Sequence, residues 1–523
     1  MFPSKQVNLV TLANDNHPSE LVTPDPSNIV VHQDNATEIE GGSRLNFGDL
    51  DNLYVDFSSP PYRDMIKSTN DYVFASKSRK MDEKELDVVR FRSETHEEND
   101  NILSTNARIR LACEWFIESY SSKVDEISDS SHPFAVSSCG LPDDEAKDIQ
   151  LLLTLLASAE KTSQRQFDRA SKLIEICYAM SSDDGNPVER LVYYFSEAIR
   201  EKINRETGKV AQYWFESMHV VDLQEALTSV DKCILSFHNR LPLSRVYQFS
   251  AINTILDNVG EARKVHVIDL QIRTGIKYMV MLQTLASKER HLEQFKITAV
   301  GTRAESKIKD AGKRLAEFAK SINIPFSFKI VMVTDMLDFN IDLLELDDEE
   351  KVAVCAPFFL STLISKPNHL EFLMRVIRKI NPCITVVTEV EANHTTPAFA
   401  NRFTEALFFY GALFDSMSSC LANDNRLRKV SESLFYGQTI RNIVAAEGDE
   451  RTIRHIGVNV WRSFFSRFGM AEIELSDELV FEAKLSISSF DCGKSCTIRV
   501  DGGCLLIDWK DVPVFSVSAW KFA

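Results

Sequence analysis

The stretch from Lys264 to Leu285, KVHVIDLQIRTGIKYMVMLQTL, limits what this chain can fold into more than any other. Val265 to Leu270 is a short apolar run rich in β-branched residues, interrupted only by His266 before Asp269. A run this short and apolar fits a strand buried on both faces of a parallel sheet. Thr274-Gly275 is a turn signal, after which Ile276, Met279, Val280, Met281, Leu282 and Leu285 supply the apolar face of a helix packed on that sheet. The unit is strand, loop, helix, with an acid near the carboxyl end of the strand, where open α/β sheets place their ligand crevice.

Further along, apolar runs and helical patterns alternate. Strands are expected at Phe295–Val300, Phe326–Val333, Val352–Phe358 and Cys383–Val390, with helices at Ser306–Ser321 and Leu370–Ile380. Alternation of this kind predicts a parallel sheet with helices on both faces. The end of the chain changes character: Glu472–Leu475, Cys496–Val500 and Leu505–Trp509 read as strands, the last two joined by Asp501-Gly502-Gly503 as an antiparallel hairpin. Before the first strand, 141–256 reads as all helix, with Gly185-Asn186-Pro187 as a break and Pro187 suited to a first turn. The expected fold is therefore α/β and Rossmann-like, specifically methyltransferase-like: a mainly parallel sheet over 257–523, an antiparallel edge hairpin near its C-terminal side and a helical cap over 141–256.

The first hundred residues differ, with 19 Asp and Glu against 10 Lys and Arg and little sustained periodicity. Such a segment buries too little apolar area to offset its ordering entropy, so 1–100 is expected to be a disordered acidic arm. Within it, LNFGDLDNLYVDF (45–57) interleaves acids with apolar residues, and Phe47, Leu50, Tyr54 and Phe57 share a helical face. That pattern suits either a segment that turns helical on a partner or a linker docking on its own domain. Residues 101–140 read as a helix with Ile109, Ala112, Trp115, Phe116 and Tyr120 at helical spacing, then a linker; the helix belongs either outside the main domain or at its start.

Charge and composition exclude several classes. The net charge of −17 repels a phosphate backbone over most of the surface, so DNA is expected to be reached mostly through a partner. No window approaches the ~18 apolar residues of a membrane span. Ten scattered cysteines read as buried thiols in a reducing compartment, and Cys492, Cys496 and Cys504 lack a fourth ligand for zinc. There is no GxSxG elbow, HExxH, P-loop or paired CxxC.

Several motifs then fall in a familiar order. VHVID at Val265, His266, Val267, Ile268 and Asp269 resembles the VHIID motif of the GRAS family of plant transcriptional regulators. VTEVEANHTTPAFANRFTEALFFYGALFDSM (387–417) and RNIVAAEGDERTIRH (441–455) resemble that family's PFYRE region. Trp461 with Gly469, Trp509 with Trp520, and the ending Ser518-Ala519-Trp520 resemble its terminal SAW subdomain. The block Leu151–Leu156 with Arg190 downstream is similar to its first leucine-rich region; the second, beginning near Ile308, is thin in leucine. The resemblance spans about 141–523 and implies a nuclear regulator, not an enzyme, that pairs with itself, with other GRAS-like proteins and with DNA-binding transcription factors. The chain carries no DELLA sequence. The basic clusters Lys77, Arg79, Lys80 and Arg426, Arg428, Lys429 are small candidates for nuclear import or simply solvated surface.

The residues also frame the alternative, an S-adenosylmethionine-type enzyme on the same fold. Such a site needs glycines after the first strand for close backbone approach, whereas Gln271, Ile272 and Arg273 precede the single Gly275 here. No cofactor and no small-molecule substrate are expected. Asp269, Arg303, Glu389, Glu391 and His394 lie at or beyond strand carboxyl ends, either converging on a vestigial pocket or pairing to hold the crevice shut, since buried carboxylates require partners. Leu152, Leu155 and Leu156 form an LxxLL pattern, either a helix's core face or a partner-docking motif. Arg451, Arg454, Arg462 and Arg467 are candidate phosphate contacts, or arginines extending outward from a helix packed through Trp461, Phe464, Phe465 and Phe468.

Overall fold

A computed structural model describes residues 103–121, 141–208, 236–287 and 292–523. The docking candidates Phe47, Leu50, Tyr54 and Phe57 lie outside them. The helical part runs α1 (Thr105–Ser121), α2 (Asp143–Ser163), α3 (Phe167–Met180), α4 (Pro187–Thr207) and α5 (Pro242–Val259). The sheet begins at β1 (Lys264–Asp269) and continues through α6 (Ile276–Ser287), β2 (Gln294–Gly301), α7 (Glu305–Ser321), β3 (Phe326–Met332), β4 (Lys351–Pro357), α8 (Pro367–Ile380) and β5 (Ile384–Val390). There follow α9 (Phe399–Cys420), α10 (Asn425–Ser431), a π turn (Glu432–Gly437), α11 (Gln438–Ala445) and α12 (Val458–Arg467). The last elements are β6 (Met470–Ile473), α13 (Asp477–Ile487), β7 (Cys496–Asp501), β8 (Cys504–Trp509) and β9 (Val512–Phe522).

The strands form one sheet in the order β3-β2-β1-β4-β5-β9-β8-β7. Pairs from β3 to β5 are parallel, as the alternation of apolar runs and helices requires. From β5 onward every pair is antiparallel. The edge hairpin of β7 and β8 is present, with Gly502 at φ 58° in its turn, a conformation that favours glycine. The sequence reading missed β9. This strand pairs with β5 along one side, while its other side is shared by β8 toward Val512 and β6 toward Phe522. The short strand placed at Glu472–Leu475 begins earlier, at Met470.

Alternation along the strands divides the core. Val265 and Val267 of β1, Ile384 and Val386 of β5, and Val517 and Ala519 of β9 face the cap side with the helices α1 to α7 and α9. Ile268, Val387 and Trp520 face α8 and α12. Burial on both faces explains why β1, β4 and β5 read as apolar runs, whereas the edge strand β3 is only half-buried along most of its length. Within β9, Trp520 Nε1 donates to Ser518 Oγ at 2.9 Å, two residues back on the same face, and its ring lies 4.5 Å from that of Phe465.

The cap's helices are set by local chemistry. Asn186 caps α4, its Oδ1 accepting from Val188 N (2.8 Å) and Glu189 N (3.0 Å) while Glu189 Oε2 accepts from Asn186 N (3.1 Å). Pro187 occupies the first turn, and Gly208 closes the helix at φ 70°. Helix α1 packs on the cap: Leu103 N donates to Glu145 Oε1 at 2.7 Å, and Arg108 pairs with Asp148. It also crosses α9 closely at Gly411, where a Cβ would stand 2.5 Å from Ile109 Cδ1 and 2.6 Å from Asn106 Oδ1.

Asp415 of α9 fastens three regions together. It accepts from Thr105 Oγ1 of α1 (2.9 Å) and Trp509 Nε1 of β8 (2.9 Å), and Lys510 Nζ lies 3.2 Å away. Removing a buried acceptor of this kind leaves its donors without partners. Asp415→Ala is expected to lower stability by about 3 kcal/mol, measured by equilibrium urea unfolding.

Candidate functional site

The crevice at the carboxyl ends of the parallel strands is filled from within the chain. Asp269 ends β1 and is fully buried. Its Oδ1 accepts from Gln271 N at 2.8 Å; its Oδ2 accepts from Tyr278 Oη at 2.5 Å and pairs with Lys277 Nζ at 2.7 Å. The tight turn at Gly275 (φ 76°) brings the first turn of α6 back over the strand end, which puts Lys277 and Tyr278 within reach. Lys277 Nζ also lies 3.3 Å from Cys355 Sγ of β4. Burial works against the ammonium, but Asp269 and Cys355 outweigh it and hold Lys277 above the ordinary lysine range. Burial, then the Asp269 charge, pushes the Tyr278 phenol well above its usual range, so it remains a donor.

The loop residues that replace glycine complete the closure. The Gln271 side-chain amide donates to the carbonyls of Pro357 and Phe358, 3.0 Å each, and so bridges the ends of β1 and β4. The Arg273 guanidinium lies 5.4 Å from the centroid of the Phe358 ring. A nucleotide bound against this loop meets side chains where it needs bare backbone.

The other crevice candidates do not gather around Asp269. Arg303 stands exposed on the loop after β2. Glu389 is buried in β5, where its Oε1 accepts from Ser361 N at 3.1 Å and its Oε2 has no partner. Burial raises its carboxyl to about 7. Glu391 accepts from Val458 N through both oxygens (3.1 and 3.0 Å), meeting the N-terminus of α12. His394 pairs with His455, Nδ1 to Nδ1, at 2.9 Å. One ring must donate and the other accept; burial lowers His394 well below the ordinary histidine range and His455 to about 4, so both rings are neutral near pH 7. His266 of the VHVID stretch is a satisfied core residue, 2.9 Å from Glu350 Oε2 and 2.8 Å from Thr298 Oγ1.

Of the candidates elsewhere, all but Arg467 are engaged inside the chain. Leu152, Leu155 and Leu156 are buried in α2, on the core side of the helix. Arg451 donates to the carbonyls of His394 and Thr396, 3.3 Å each. Arg454 donates to the carbonyls of Arg451 (3.0 Å) and Gly448 (2.9 Å). Arg462 binds Glu472 (3.0 Å), Asn459 (2.8 Å) and Asp501 (3.3 Å). Arg467, at the end of α12, is exposed. Trp461, Trp509 and Trp520 are all buried, and Gly469 turns at φ 75° between α12 and β6. In the second basic cluster, Arg428 pairs with Glu432 (2.9 Å) and Lys429 with Asp184 (2.8 Å).

Two ionic assemblies built on buried arginines escaped the sequence reading. Arg190 of the cap donates through Nε to both oxygens of Glu432 (3.1 Å each) and through its terminal nitrogens to Gly185 O (2.7 Å), Phe414 O (3.0 Å) and Ser418 Oγ (2.7 Å). Arg428 reaches the same carboxylate from the next turn of its own helix. Arg402 binds Ile443 O (2.8 Å), Thr396 O (2.8 Å) and Glu447 Oε1 (2.7 Å), and Glu447 in turn meets Lys202 of α4 at 2.8 Å. The available signal was an arginine set among the apolar positions of a helix, a place where a guanidinium requires partners.

The fold and its site define a Rossmann-like domain whose ligand crevice is occupied by its own lysine, tyrosine, glutamine and arginine. The chain belongs to the GRAS domain family, which it matches over residues 151–521. It is 32% identical over 387 residues to DELLA protein 2 of Medicago truncatula, covering 72% of this chain and 68% of that one. It is 28% identical over 393 residues to the DELLA protein RGA of Arabidopsis thaliana, covering 73% of this chain and 64% of that one; the match thus spans about two thirds of these relatives' lengths. The crystal structure of SCL7 from Oryza sativa superposes with a TM-score of 0.62 at 24% identity, over 71% of this chain and 99% of that one, and shows the same fold.

Lys277→Met strands the Asp269 carboxylate in the core, and unfolding in urea is expected to show a loss of about 3 kcal/mol. Adding Asp269→Asn should recover part of it. Glu389 has its folded pKa raised above the ordinary 4.5, so its stabilising contribution is full below pH 4.5 and is lost as pH rises through about 7. Glu389→Gln is therefore expected to be more stable than the parent at pH 8 by about 3 kcal/mol. The gap should close below pH 5, as followed by denaturant titrations across that range.

Proposed function

We propose that this chain is a nuclear transcriptional regulator that works by holding other proteins, chiefly DNA-binding transcription factors and other GRAS-like chains, and that catalyses nothing. The observation that carries this reading is the Asp269–Lys277–Tyr278 cluster with Gln271 bridging to β4: the place where this fold class binds its cofactor is taken by side chains. Family membership supports the regulatory role. The internal engagement of Arg451, Arg454 and Arg462, together with a net charge of −17, supports reaching DNA through a partner. Among the described residues, no helix is long and apolar enough to cross a membrane.

Tethering tests the role directly. The full chain fused to a heterologous DNA-binding domain is expected to change output from a reporter carrying that domain's site, while the unfused chain leaves a random-sequence duplex pool unenriched at low salt. Sequence-selective enrichment by the chain alone would overturn the partner-mediated reading. Stoichiometric calorimetric binding of S-adenosylmethionine, lost in Asp269→Ala, would overturn the non-catalytic one.

A further inference from the structure

Two thiols distant in sequence meet at the far end of α9. Cys420, its last residue, and Cys492, in the turn between α13 and β7, hold their sulfurs 2.7 Å apart. Both side chains are half-buried. The separation is within about 1 Å of a sulfur–sulfur bond, ~2.05 Å. Among the described residues no other pair of sulfurs is joined by such a contact. Cys113, Cys177, Cys355, Cys496 and Cys504 are buried, and Cys383 is half-buried without a thiol partner.

Both sides of the contact are anchored. On α9, Cys420 follows the Asp415 node by a little over one turn, and the apolar cluster of Leu241, Met417 and Leu421 packs against it. On the other side, successive turns hold Cys492: Gly493 N donates to Phe490 O (2.9 Å), Ser495 N to Cys492 O (3.1 Å) and Lys510 N to Ser495 O (2.8 Å). A pair this well positioned closes a bond with little rearrangement, which is the usual obstacle to disulfide formation.

We infer that Cys420 and Cys492 are a redox-modification site, closed to an intramolecular disulfide by a hydroperoxide and reopened by a dithiol reductant. The Cys492 thiolate attacks one peroxide oxygen, the O–O bond breaks, and a sulfenic acid forms. The Cys420 sulfur then attacks the sulfenic sulfur; the S–S bond forms, the S–O bond breaks, and the oxygen leaves as water with the Cys420 proton. In sum, two thiols and one hydrogen peroxide give one disulfide and two waters. The division of roles agrees with the coupling of the two sulfurs, either of which can donate to the other: the contact lowers the Cys492 thiol below its ordinary range, while the same contact and burial raise Cys420. The bond fastens the C-terminal hairpin to α9 and closes the intervening chain, from α10 through α13, into one loop.

The test treats the reduced full chain with graded hydrogen peroxide, alkylates the remaining thiols and maps peptides by mass spectrometry. The expected result is a Cys420–Cys492 linked peptide, with intact mass lower by two hydrogens, at doses where Cys383 is still fully alkylated. The thermal midpoint of the oxidised chain should rise by several degrees and return on adding dithiothreitol. Cys492→Ser and Cys420→Ser should each abolish the link and the shift, and in Cys420→Ser a dimedone adduct should accumulate on Cys492. The inference is overturned if Cys492 advances to sulfinic acid while Cys420 stays reduced. It is equally overturned if the link appears only at doses that also oxidise Cys383. Both of these readouts use the unmutated chain, so they do not depend on a variant folding.

Discussion

A helix buried along nearly its whole length can carry charge only where partners come to meet it, and α9 is such a helix. Its apolar run, ALFFYGALF, gives it faces toward the cap, the sheet and α11 at once. Arg402 near one end is satisfied by carbonyls from the loop after β5 and by Glu447, and Asp415 near the other by groups from α1 and β8. The apolar residues supply most of the burial energy, while the two charges fix which neighbours sit where. Phe195 of the cap packs edge-on against Phe403 at 5.3 Å, and Gly411 lets α1 cross closely. Regions that resemble separate family motifs thus share one physical axis.

The crevice follows the same rule. A carboxylate at the end of a buried strand needs a ligand, a cation or backbone donors, or else holds its proton, because solvent does not reach it. Here the cation comes from α6, and the Tyr278 hydroxyl and the backbone N–H of Gln271 take the remaining acceptor capacity of Asp269. The geometry of a ligand-binding α/β sheet is retained while its mouth is converted into a packing and ion-pairing site.

The inner parallel strands β1, β4 and β5 were legible because burial on both faces writes them as compact apolar runs, and the β7–β8 hairpin because Gly502-Gly503 marks its turn. Strand β9 was not, for two reasons. Its run VPVFSVSAWKF follows β8 with almost no turn signal, and Pro513 lies beside a bulge opposite Asp508. Which neighbours it takes is a tertiary matter that no local pattern states. Lys277 and Tyr278 were overlooked because they resemble helix-surface residues; only the tightness of the turn at Gly275 aims them at Asp269. Likewise Arg428 and Glu432 showed the spacing of an ordinary helix-surface pair, and nothing in that spacing announces the third member, Arg190, contributed from the cap.

The position of β9 also has a consequence for the order of events during synthesis. It follows the other eight strands of the sheet in sequence, yet it lies inside that sheet, as the seam between the parallel half and the antiparallel half. Until a ribosome has delivered it, β5 and β8 each present an open edge, the state in which unpaired backbone invites pairing with the wrong strand. The sheet therefore cannot be finished progressively from one side. Its two halves await a single late insertion, and correct assembly depends on keeping those edges apart from other nascent chains until that insertion occurs.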